Sequence, residues 1–153
     1  MIINFATDAH RTTYERVATM LVEEYGRQAR PHASQPLWAL EYGSATVVIA
    51  VEPFGEDNGL VRVVSAVVTD AEHAPELHRS LLERNFGLTF GSFALDGAGT
   101  ITLQYSLLGS ECTAAQLATA IRELRAAADA MDDLIVSSFG GQRAVDRTHE
   151  SEA

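Results

Sequence analysis

The chain has 153 residues, 46% of them apolar and 21% charged, which suits one domain with a full hydrophobic core and would leave two domains each marginal. Its 21 acidic residues stand against 11 basic ones, all arginine, and the net charge of -10 repels a phosphate backbone and excludes nucleic acid as a natural partner. The longest apolar stretch, around 45–51, falls far short of the roughly 20 residues of a spanning helix, and the single cysteine, Cys112, excludes an intramolecular disulfide.

From Thr12 to Tyr25, apolar residues at Tyr14, Val17, Leu21 and Tyr25 recur every three or four positions, the spacing of one helical face. Thr12 with Glu15 reads as a capping box, and Gly26 as the stop. After a loop containing Pro31 and Pro36, three β-rich stretches follow, 37–42, 45–53 and 60–69, separated by breaks short enough for antiparallel hairpins. Pro75 sits where a first helical residue belongs, and a second helix runs from there to Gly87 with Leu77, Leu81, Leu82 and Phe86 as its apolar cluster. Strands over 92–96 and 100–107 flank Asp96-Gly97-Ala98-Gly99, a turn in which glycine can take positive φ. The last helix opens on the capping box Thr113/Gln116 and carries Leu117, Ile121, Leu124, Ala128, Met131 and Ile135 as its stripe. It should stop near Gly140-Gly141, leaving a polar, frayed tail over 144–153.

The order α-β-β-β-α-β-β-α, with adjacent strands in runs, predicts an α+β fold: a five-stranded antiparallel sheet with helices mainly on one face, forming a single domain over 1–143. That order, together with 91–97 leading into the strand 101–107 and the close of the last helix at Phe139-Gly140-Gly141, resembles the YbjN family. The resemblance runs from about Tyr14 to Arg143 and implies a fold similar to the type III secretion chaperones, small acidic homodimers that hold extended client segments without ATP. A chaperone-like binding module is the expectation it carries.

The residues alone supply no reacting set. His10, His32, His73, His78 and His149 show none of the paired spacings that put two imidazoles on one metal, and His73 and His78, flanking the start of the second helix, read as exposed residues without a role. Cys112 lies near a helix N-terminus but has no neighbouring base in sequence, so it reads as a bystander whose replacement by serine leaves folding and binding nearly unchanged. Asp129, Asp132 and Asp133 read as a solvated helix face, opposite the apolar stripe. The glycines at 87, 91, 97 and 99 make no phosphate loop, since no Walker lysine accompanies them.

The expectation is therefore a non-enzymatic, cofactor-free, cytoplasmic protein with a client or partner protein and no membrane insertion. The alternatives are a regulatory scaffold for a folded partner, or an enzyme whose residues converge only in three dimensions. Self-association is expected through Leu77, Leu81, Leu82 and Phe86. Strand parity supplies the second surface: Arg62 marks an outward side shared by Leu60, Val64, Ala66 and Val68, and Glu52 does the same for Val48 and Ala50. These positions are mostly apolar where an open sheet face should be polar, so the face awaits a cover.

Overall fold

A computed structural model describes residues 2–42 and 45–146, with the side chains of Tyr42 and Ala45 left aside. The elements are α1 (Asp8–Tyr25), β1 (Ala29–Pro31), β2 (Leu37–Tyr42), β3 (Ala45–Phe54), β4 (Asn58–Thr69), α2 (Pro75–Gly87), β5 (Ser92–Leu95), β6 (Ile101–Leu108), α3 (Ala114–Phe139) and β7 (Gln142–Arg143). The expected α+β order is present, but the sheet has seven strands among the described residues instead of five, in the order β1-β2-β3-β4-β6-β5 with β7 on β4. The pairings β1–β2, β2–β3, β5–β6 and β4–β7 are antiparallel. Two compact units divide the chain: residues up to Val63 with Ser106–Ile121, and Val64–Tyr105 with the residues from Arg122 onward.

In the first unit α1 begins one turn earlier than the Thr12/Glu15 reading. Thr7 is the cap, its hydroxyl accepting from the His10 N–H at 3.0 Å. Thr12 is exposed inside the helix, whereas Thr13 is buried and returns its hydroxyl to the Ala9 carbonyl at 2.9 Å. Val17 and Leu21 continue the buried stripe, α1 packs on β3, and Gly26 ends the helix at φ 56°. The β2–β3 hairpin runs from Leu37↔Ala50 to Tyr42↔Ala45; its turn, Gly43-Ser44, lies outside the described residues. Trp38, Leu40, Val47, Ile49, Val51, Val61 and Val63 form the buried face. The capping box of α3 is present and reciprocal, Gln116 N–H to the Thr113 hydroxyl and Thr113 N–H to the Gln116 side chain, both 3.1 Å.

In the second unit Pro75 opens α2 as expected, with Leu77 and Leu81 turned inward. The β5–β6 turn is closed by Asp96, whose Oδ1 accepts from the N–H groups of Ala98 and Thr100, each at 2.9 Å. Beyond β5, on the side away from β6, the Asn85 amide receives the Phe93 N–H at 2.7 Å and donates to the Phe93 carbonyl at 3.4 Å. After α3 the chain turns through Gly140 (φ 72°) and Gly141 (φ 84°) into β7, which lies on the end of β4 with Val68↔Arg143 and Thr69↔Gln142 in register. Of the expected tail, 144–146 form a helical turn anchored by Arg143 on Asp146 at 2.8 Å; 147–153 lie outside the described residues.

Candidate functional site

Cys112 is buried, and burial pushes its thiol up, the Arg16 guanidinium opposing part of that shift. Arg16 spends its own donors on the carbonyls of Gly109 (2.7 Å) and Cys112 (3.1 Å), fixing the 3₁₀ turn Gly109–Glu111 that precedes α3. A buried, protonated thiol is a poor nucleophile. The thiol donates to the Thr113 carbonyl at 3.8 Å, a partner that a serine hydroxyl at the same position could also reach.

His10 is buried as well. Its Nδ1 accepts from the Ala6 N–H at 3.3 Å and its Nε2 donates to the Val51 carbonyl at 2.8 Å, which locks the N-terminal segment onto β3. Phe5, Tyr14 and Trp38 complete an aromatic row, Tyr14 stacked on Trp38 with centroids 4.6 Å apart.

The three aspartates of α3 do not share one face. Asp132 lies four residues after Ala128 and three before Ile135, so it falls in the buried stripe, while Asp129 and Asp133 stay exposed. Burial pushes its carboxyl up; the Asp133 N–H, 2.6 Å from Oδ1, opposes, Asp133 adds to the rise, Arg143 opposes and Asp129 adds again. A carboxyl raised in the folded state contributes stability that is present below the ordinary carboxylate range and is lost as pH climbs through the folded value. Asp132→Asn keeps the Oδ1 acceptor and removes that loss. Its melting temperature is expected to exceed the natural chain's at pH 7, with the difference vanishing near pH ~3, where the carboxyl is protonated in both states. A lower melting temperature at pH 7 would refute this.

Two sets of apolar positions remain open. In the first unit, Val48 and Ala50 of β3 and Leu60 of β4 are half-buried on the side opposite the core. Among them Arg62 forks onto Glu52, Nε at 3.2 Å from both carboxylate oxygens and Nη2 at 3.0 Å from one, so this charge enters the face already neutralised. In the second unit, Val64 is half-buried and Ala66 exposed, but Val68 is fully buried: the alternation of β4 ends in the stretch that pairs with β7. The α2 cluster is also divided. Leu77 and Leu81 belong to the core, whereas Leu82 and Phe86 are 69% and 97% exposed. A notch of about 110 Å³ lies between α2 and α3, lined by apolar Leu77, Leu81, Met131 and Ile135 together with Arg84 and Ser80, among others.

The family model for the T3SS (YopN, CesT) and YbjN peptide-binding chaperones matches residues 12–147. The chain belongs to this family of peptide-binding chaperones. Among solved structures, a chain of the crystal structure of the ExsC–ExsE complex is similar at 19% identity and TM-score 0.60, over 80% of this chain and 95% of that one, a likeness that shows the fold. No curated protein matches. No helix among the described residues is long and apolar enough to cross a membrane.

Proposed function

We propose that the protein is a non-enzymatic, cytoplasmic homodimer that holds an extended segment of a client protein without ATP or a cofactor. The observation that carries the reading is the half-buried, apolar outer side of β3 and β4, where Val48, Ala50 and Leu60 surround a self-neutralised Glu52–Arg62 pair. Such a face loses little on desolvation of charge and gains about 25 cal/mol for each Å² of apolar surface covered. Membership in a peptide-binding family supports a segment of chain as the cover. The test is capture of client by the tagged chain from its native host with ATP depleted, followed by peptide scanning of the captured protein. One short linear region should account for binding; retention that requires ATP, or maps only to a folded domain, would reject this reading.

For self-association, Leu82 and Phe86 are the accessible remainder of the expected α2 cluster, and a surface leucine and phenylalanine one turn apart suit an isologous contact. Phe86→Arg is expected to halve the mass seen by light scattering at micromolar concentration without lowering the melting cooperativity. An unchanged mass would remove α2 from the interface.

A further inference from the structure

His73 and His78 lie five residues apart across the start of α2, and the fold brings Nδ1 of the first to 3.1 Å from Nε2 of the second, ring centroids 5.3 Å apart. We propose that this pair is a two-imidazole chelate for a divalent transition ion of the zinc, nickel and copper class. Imidazole nitrogens bind these ions at about 2.0–2.1 Å, so two nitrogens on one ion stand about 2.9 Å apart at a right angle and about 3.4 Å apart at the tetrahedral angle. The observed separation falls between those limits and corresponds to an angle of about 98° at the ion.

The surroundings favour a cation. His73 is exposed and His78 half-buried, so an ion can reach both. The His73 ring rests against the β5–β6 turn, its Nε2 3.3 Å from where a Cβ on Gly99 would stand, which limits its rotation. Glu72 precedes the pair in sequence and Glu76 lies between its two members, and the chain's net charge of -10 raises the local concentration of cations. By contrast, Nδ1 of His32 is occupied by the N–H groups of Ser34 and Gln35, each at 3.2 Å, and His10 is closed in the core. No group of three or more His, Cys, Asp or Glu among the described residues is arranged to hold a metal, so water completes the coordination. In the metal-free pair one N–H lies between the two nitrogens; on binding, that proton moves by exchange with water to the far nitrogen of its own ring.

The test is calorimetric titration of chelator-stripped full-length protein with zinc chloride, alongside magnesium chloride. One zinc per chain is expected, with a rise in melting temperature as zinc is added, and no response to magnesium. His73→Gln and His78→Gln should each weaken zinc binding at least tenfold and abolish the thermal shift, whereas His32→Gln and His149→Gln should do neither. Zinc binding that survives either of the first two substitutions unweakened, or the absence of any zinc response from the natural chain, overturns the proposal.

Discussion

Gly141→Ala is expected to destabilise the protein by about 3 kcal/mol or more, and Gly140→Ala by only about 1–2 kcal/mol. Both glycines hold positive φ, 72° and 84°, where any side chain is strained. Around Gly140 a Cβ would meet nothing within 4 Å. At Gly141 it would overlap the Thr69 carbonyl oxygen and lie 2.7 Å from the Ala71 nitrogen, both backbone atoms at the end of β4 that cannot rotate aside. Alanine there must either pull β7 off β4 or shift β4 itself, and Val68 and Thr69, buried beneath that pairing, would be uncovered. Urea unfolding of the two variants provides the comparison. Equal losses would mean that backbone conformation, and not close packing, accounts for the pair.

Val64→Arg is expected to abolish client retention while the cooperative melt survives. Val64 is half-buried on β4, so an arginine stem can lie along the strand surface with its guanidinium in water. A client covering the position would have to bury that charge unpaired, at a cost of about 3 kcal/mol, or roughly 150-fold in affinity. Val63 supplies the control. Its side chain is fully buried on the opposite side of the same strand, and Val63→Arg should not fold. If Val64→Arg unfolds in the same way, residue 64 is core and this part of the proposed surface is lost; if it folds and retains client, the client lies elsewhere.

The features that were legible in sequence share one property: the residue carries its own geometric instruction. Pro75 marks a helix start, Thr113 with Gln116 closes a box, Asp96 to Gly99 makes a turn, and Arg62 fixes which side of β4 is wet. Strands of three and two residues, β1 and β7, are too short to show alternation, so two strands of the sheet were missing from the reading. Thr12 imitates a cap because the apolar residues of the α1 stripe begin at Tyr14, whereas the buried polar residues His10 and Thr13 extend the stripe toward Thr7. The helical period separates the α2 leucines: residues 81 and 82 differ by about 100° around the axis, so Leu77/Leu81 and Leu82/Phe86 point different ways. The same arithmetic places Asp132 in the stripe. The His73–His78 approach depends on how the segment before α2 folds back, and no spacing rule anticipates it.

The placement of Asn85 bears on what happens when many copies of this chain crowd together. β5 and β1 end the main path of strands, with β7 off it on β4, and a terminal strand with free N–H and C=O groups is a template on which another copy can polymerise. The Asn85 amide meets the Phe93 backbone with one donor and one acceptor, as a neighbouring strand would, and behaves as a dummy strand one residue long. At the path's other end Pro31 brings no N–H to β1, and Arg30 beside it is paired with Glu41. A second copy approaching β5 or β1 therefore meets an interrupted row of N–H and C=O groups, which disfavours strand-on-strand growth there.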